Sequence, residues 1–223
     1  MPVLAVDYNL GVSMGQYVKY GDFSGNGQGF ESFNDYGFLH LSVVSLSGTE
    51  VTLLSTGQFK NGTALPGNGT TAIWDVQVGT QNGTPDTQGP IIASNLNQGD
   101  PIPPPNTYSI NSTEQRTYLG VSRVVDVLAV AISSPDYNSS LTYVYDKASG
   151  MLLEASAQTT IQSQPEPVTS SYSYSVVETN IFGQAPSSTP FVNFSSVTIV
   201  LVAVIAVIVV VVVVVWLVLL RKR

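Results

Sequence analysis

Hydrophobic and polar residues alternate with period two through most of this chain. Phe38–Leu46 (FLHLSVVSL) and Val51–Phe59 (VTLLSTGQF) flank Ser47-Gly48-Thr49-Glu50, the pattern of a β-hairpin. Ala72, Trp74, Val76 and Val78 alternate with Ile73, Asp75, Gln77 and Gly79, which predicts a half-buried strand over 72–79. Thr117–Ile132 is rich in β-branched residues and reads as one long strand or two joined near Ser122. Leu141, Tyr143 and Tyr145 are expected to oppose Met151, Leu153 and Ala155 across a turn at Asp146–Gly150. Tyr172, Tyr174 and Val176 share one face of a strand over about 168–179. No helical stripe precedes residue 197, so residues 6–181 are expected to be mainly β: an antiparallel sheet or sandwich, with a curved half-barrel as a variant.

The breaks between these runs are equally legible. Gly21–Gly37 (GDFSGNGQGFESFNDYG) reads as a polar loop, Pro101–Asn106 (PIPPPN) as a stiff connector, and Gln164–Pro167 as a further proline break. Phe182–Ser196 is uncharged and rich in Pro and Ser, the composition of a stalk. No repeat of fixed period is present.

The alternation stops at Val197. From there to Leu220 the chain reads VTIVLVAVIAVIVVVVVVVWLVLL, 24 residues without a charge. A helix of that length spans roughly 36 Å, enough to cross a hydrocarbon core of about 30 Å. Seven consecutive valines would favour a strand in water, but a lone segment in lipid must satisfy its own backbone and so becomes a helix. Arg221, Lys222 and Arg223 follow it directly. By the positive-inside rule they form the cytoplasmic end of a single-pass anchor, with the N-terminal domain outside the cell.

Charge matters here through its distribution. The formal net charge is −7, yet all fifteen acids and five of the eight basic residues lie before residue 180, leaving that part at −10 and the tail at +3. An acidic domain with no basic stripe argues against nucleic acid as a partner. The expected partners are the lipid bilayer, through residues 197–220, and an extracellular ligand or envelope protein. Export requires a leader, and Met1–Ala5 (MPVLA) offers Val3 and Ala5 as the −3 and −1 positions of a cleavage site. The rival topology is a tail-anchored protein with a cytosolic domain. Asn-X-Ser/Thr sequons at Asn61, Asn68, Asn82, Asn111, Asn138 and Asn193 favour the exterior. Asn-Gly-Thr is also good turn chemistry, which accounts equally well for Asn61, Asn68 and Asn82.

The residues of classical active sites are scarce. Cysteine is absent and His40 is the single histidine, which excludes thiolate catalysis, disulfides and multi-histidine metal sites. His40 itself lies in an apolar run and reads as a packed or rim histidine. Asp22, Asn26, Glu31, Asn34 and Asp35 gather oxygen ligands suited to Ca²⁺, but their spacing is not that of an EF-hand and a solvated loop accounts for them. No two acids are marked as a hydrolytic pair, so the reading is non-enzymatic, with no cofactor and no metal site; a hydrolase with an unrecognised carboxylate site is the remote alternative. Glu114 with Arg116, and Asp126 with Arg123, read as surface ion pairs. Asp146 is expected to accept bonds from turn amides, Gly150 to supply a positive φ, and Lys147 to pair with Glu154. Tyr143, Tyr145, Tyr172 and Tyr174 recur at alternate positions and can form one aromatic, apolar face. Ordinary sheet packing is the plain explanation; a surface for a lipid, glycan or partner is the sharper one.

Tyr143-Val-Tyr-Asp-Lys-Ala-Ser-Gly-Met-Leu-Leu-Glu154 resembles the Tyr-x-Asp-x-x-(Ser/Thr)-Gly-x-Leu-x-Glu hairpin of uncharacterised membrane-anchored surface proteins of archaea. Ala93–Asp100 (ASNLNQGD), Asn111 and the Arg116-x-Tyr-x-Gly120 run are similar to them too. More distantly the pattern is similar to lipoprotein-carrier-like half-barrels, which implies a curved sheet that shelters acyl chains. This chain departs from those in having a C-terminal hydrophobic segment and no lipobox cysteine. The resulting expectation is a single-pass cell-membrane protein whose exterior β domain is an envelope component or a module for a ligand or partner. Its alternative is a lipid-binding or lipid-transfer module built on the tyrosine-bearing sheet.

Overall fold

The computed structural model describes residues 6–27, 29–85, 89–103, 108–162 and 166–183. The sections expected to be a leader remnant (1–5), most of the stalk (182–196), the anchor (197–220) and the tail (221–223), together with Asn193, fall wholly or largely outside that set. Among the described residues, no helix is long and apolar enough to cross a membrane.

The domain is mainly β and consists of one open antiparallel sheet rather than the two packed sheets of a sandwich. Its strands are β1 (Tyr17–Asn26), β2 (Tyr36–Ser47), β3 (Glu50–Phe59), β4 (Thr70–Asp75), β5 (Thr80–Gln81), β6 (Thr84–Pro85), β7 (Ser112–Tyr118), β8 (Val121–Ser133), β9 (Tyr137–Asp146), β10 (Leu152–Ile161) and β11 (Val168–Thr179). Their spatial order is β6-β5-β4-β3-β2-β1-β11-β10-β9-β8-β7. Nearly every neighbour is also next in sequence. The exception is the β1–β11 pairing, which joins two meanders into one sheet and leaves β6 and β7 as its edges.

Several elements match the hydrophobic pattern. Strands β2 and β3 pair from Ser47↔Glu50 down to Tyr36↔Phe59 around Gly48-Thr49, and β11 covers the expected 168–179. Thr117–Ile132 divides into two strands joined by Leu119 and Gly120. Three readings are corrected. The strand expected over 72–79 stops at Asp75, because Asp75 accepts hydrogen bonds from Gln77 N–H and the Thr49 hydroxyl and turns the chain. The first half of the loop read at 21–37 is β1, whose core face carries Val18, Tyr20 and Phe23. A bulge at Gly21–Ser24, with Asp22 at φ +50°, breaks the alternation there and hides the strand from a period-two reading. Glu31–Asp35 then forms a short 3₁₀ turn. In the β9–β10 hairpin a bulge between Leu152 and Glu154 places Leu152, not Met151 or Leu153, opposite Tyr145 and leaves Ala155 opposite Tyr143.

The sheet curls strongly toward one face. Trp74 on β4 and Leu152 on β10 are five strand spacings apart in the sheet order, which on a flat sheet would be roughly 24 Å. Two consecutive residues nevertheless reach both: a Cβ on Gly89 would lie 2.5 Å from the Trp74 ring, and Leu152 N–H donates to Pro90 C=O at 2.9 Å. Gly89 thus sits where only a glycine fits against the indole. The segment 89–103 continues along the β9–β10 turn, with Ile92 N–H donating to Gly150 C=O and Asn95 N–H to Lys147 C=O. Ile91, Ile92, Ala93, Leu96 and Ile102 join the core and close this end of the inner face.

Candidate functional site

Beyond that plug the inner face holds a cavity of about 420 Å³, within the range of small-molecule sites. Its wall is built from strand positions of one parity: Tyr20 on β1, Leu39 and Leu41 on β2, Leu53 and Ser55 on β3, Ala72 and Trp74 on β4, and Leu152 and Tyr174 on β10 and β11. Pro66 and Gly67 line it from the β3–β4 connection, Thr70 from the start of β4 and Gln81 from β5, and Pro90 completes it. Among the described residues, no acidic or basic side chain lines it. Its phenols stay neutral, because burial pushes both Tyr20 and Tyr174 well above the usual tyrosine range. Tyr20 is further fixed by donating to Leu152 C=O at 2.9 Å. The slot presents polar and apolar surface in about equal measure, with hydroxyl and amide groups set among aliphatic and aromatic side chains.

The predicted tyrosines meet on the same face. Tyr143, Ala155 and Tyr174 form one cross-strand row, and Leu141, Ala157 and Tyr172 the next. Tyr172 and Tyr174 stack with ring centroids 6.3 Å apart, and Tyr172 stacks on Phe33 at 5.0 Å. Tyr143 and Tyr145 are buried in packing rather than presented to a ligand, and of the four only Tyr174 lines the cavity. Most of the wall, Tyr20, Leu39, Leu41, Leu53 and Trp74, escaped the sequence reading. The available signal was the apolar alternation of β2 and β3 facing Trp74; that it encloses space depends on curvature.

Other marked residues are placed as follows. Glu114 does pair with Arg116, at 2.6 Å, but Arg116 also reaches Glu154 at 3.2 Å, so Glu154 pairs there and with the Tyr118 hydroxyl rather than with Lys147. Burial pushes that phenol up to about 12. Arg123 pairs with Asp146, not with its near neighbour Asp126, whose partners are Thr113 at 2.6 Å and Lys147 at 3.6 Å. Asp146 accepts from Ser149 N–H at 2.9 Å and from its hydroxyl at 2.7 Å, and Gly150 has φ +75°. In the 21–37 region Asn34 binds both backbone groups of Gly25, Glu31 accepts from Gly29 N–H and Asp22 from the Ser175 hydroxyl. No three His, Cys, Asp or Glu converge on a metal position among the described residues. The described sequon asparagines, Asn61, Asn68, Asn82, Asn111 and Asn138, are all exposed. Each uses its Oδ1 as an acceptor. A glycan attaches at Nδ2, so these bonds and the modification do not compete.

His40 lies on the outer face, its ring 4.8 Å from that of Tyr17. Burial holds its pKa below the usual histidine value, despite Glu178 nearby. Glu178 is held below the usual carboxylate range by Lys19 at 3.0 Å and by the Tyr17 hydroxyl. Both depressed values mean stability that is present above the unfolded pKa and lost as pH falls. Asp126 has the opposite sign: burial raises its pKa against the pull of Thr113 and Lys147, so its contribution is lost as pH rises. Tm should therefore fall on acidification from pH 7 to 4. Glu178→Gln should flatten the lower part of that fall and Asp126→Asn should steepen it; identical slopes in all three proteins would refute this assignment.

Comparison with protein-family models, curated proteins and solved structures returned no match.

Proposed function

We propose that this chain is a single-pass, extracytoplasmic β domain that holds an apolar ligand, the hydrocarbon part of a lipid-like molecule, on the inner face of its curled sheet. The cavity is the observation that carries this reading: about 420 Å³, lined from seven strands, without a charged side chain among the described residues. A flat or sandwich-packed sheet would have filled that space with its own side chains. Anchoring and orientation rest on the 24-residue apolar run and its basic end. Glycosylation at the exposed sequons belongs to the same exterior reading. The domain resembles a half-barrel carrier in its open curved sheet, and its role is binding rather than catalysis.

Trp74 lies in the cavity wall, and the chain has two tryptophans. With Trp216→Phe in the full chain, reconstituted in vesicles, Trp74 becomes the only tryptophan and is excited selectively at the red edge of its absorption, clear of the tyrosines. Titration with 9,10-dibromostearate should quench it saturably. Ser55→Phe, which fills the slot from a half-buried position, should weaken that quenching at least about tenfold while leaving Tm nearly unchanged. Quenching that rises linearly without saturating, or that survives Ser55→Phe, refutes the ligand site.

A further inference from the structure

Four described non-glycine residues have positive φ, and three of them are Asp22, Asn82 and Asn95, the types that tolerate it. The fourth is Leu119, at φ +50°. It forms a two-residue hairpin turn with Gly120 at φ +80°, closed by the pair Tyr118↔Val121. Positive φ at both central positions is the type I′ turn, for which Asn-Gly is the favoured sequence. Leucine there is strained, and the residue is 51% exposed. Val121 and Val124, within the next five residues, are 39% and 48% exposed. Folding in water gains nothing from such a tip; strain together with exposed apolar surface points to contact with something apolar.

Two further observations indicate what that is. Strand β11 runs antiparallel to β10, β10 to β9 and β9 to β8, so β11 ends at the same end of the sheet as the β7–β8 turn. There Phe182 packs over the guanidinium of Arg123, two residues past Val121, with its ring centre 5.1 Å away. The chain therefore leaves the domain beside this hairpin, and the apolar run from Val197 follows 14 residues after Gly183. We infer that the hairpin tip Tyr118–Val121 dips into the surface of the lipid bilayer, a second membrane contact beside the point where the chain leaves the domain. This rests on the anchored reading above for the identity of the partner. The acidic domain makes uncharged lipid headgroups the fitting surface.

The chain has no cysteine, so Leu119→Cys in the full chain carries a unique environment-sensitive dye, and Asp136→Cys in the β8–β9 turn marks the opposite end. Both are reconstituted in phosphatidylcholine vesicles containing lipids nitroxide-labelled on the acyl chain. The dye at 119 should shift to the blue and lose at least about half its emission, while the dye at 136 does neither. Resistance to carbonate extraction separately reads the anchor. If the chain resists extraction and 119 behaves like 136, the tip contact is overturned and the anchor stands. If carbonate removes the chain but 119 is still quenched, the tip contact stands and the anchor reading falls; if neither holds, both fall. Shielding of 119 from iodide without lipid quenching means a protein partner and also overturns the proposal. Leu119→Asn supplies the variant that cannot fail by unfolding. It should raise Tm by about 2–4 °C yet halve the lipid quenching of a dye at Val121→Cys. Unchanged quenching there counts against the proposal.

Discussion

Replacing Asp146 by alanine is expected to cost the domain about 3–5 kcal/mol of unfolding free energy. The carboxylate has no solvent exposure and serves three groups at once. Arg123 binds both of its oxygens, at 2.8 and 3.0 Å, and Ser149 donates its backbone N–H and its hydroxyl. Removal leaves a largely buried guanidinium without its counter-charge and a buried turn amide without an acceptor, each costly in its own right. Since whole domains are stable by only about 5–15 kcal/mol, this variant should unfold near ambient temperature. Asp146→Asn keeps one oxygen for the turn and should lose roughly 2 kcal/mol. Combining Asp146→Ala with Arg123→Ala should cost less than the sum of the two, since the second change removes the stranded cation. Denaturation followed at Trp74 in the Trp216→Phe chain gives these values. A loss below about 1 kcal/mol for Asp146→Ala would show that water reaches the site and that this network is not what holds the hairpin.

The second large effect is expected at Gly150. A Cβ there would lie 2.0 Å from the Ile92 carbonyl oxygen, and φ is +75°, so alanine meets both a backbone clash and a disfavoured conformation. The left-handed conformation alone costs about 1–2 kcal/mol. Moving Ile92 away also disturbs its N–H bond to the Gly150 carbonyl and the adjacent Leu152–Pro90 bond, for a total of about 3 kcal/mol or more. The consequence reaches the cavity, because Pro90 and Leu152 are part of its wall. Gly150→Ala should therefore speed amide exchange of residues 89–103 at temperatures where the sheet remains folded, and weaken dibromostearate quenching with it. Exchange of that segment at the wild-type rate would show that the plug is held elsewhere.

These two positions also explain why the β9–β10 hairpin stood out as a motif. Its aspartate holds the turn and the neighbouring arginine, its serine supplies donors to that aspartate, and its glycine makes room for the segment packed above. Glu154 at its end receives Arg116 and Tyr118 from the edge strand. Turn chemistry of this kind is local and so was legible, as were strands β2, β3 and β11, each of which carries apolar alternation within its own run of residues. Strand β1 was not, because the bulge at Gly21–Ser24 breaks the alternation; nor was the pairing of Arg123 with Asp146, which depends on a register between strands.

The sequence by itself determined a mainly β domain, the location of most turns, an apolar run of anchoring length with a basic end, and the absence of the residues needed for thiol or multi-histidine chemistry. All of these are properties of consecutive residues: period, composition and local conformational preference. Only the tertiary structure decided that the strands form one curled sheet instead of two packed ones, that residues 89–103 bridge β4 to β10, and that a cavity with no charged side chain among the described residues is left on the inner face. The physical reason is that alternation specifies which side of a strand is apolar but not what covers that side. A second sheet, a plug or a ligand satisfies the same pattern, and the choice is made by contacts between residues as distant in the chain as Tyr20 and Leu152.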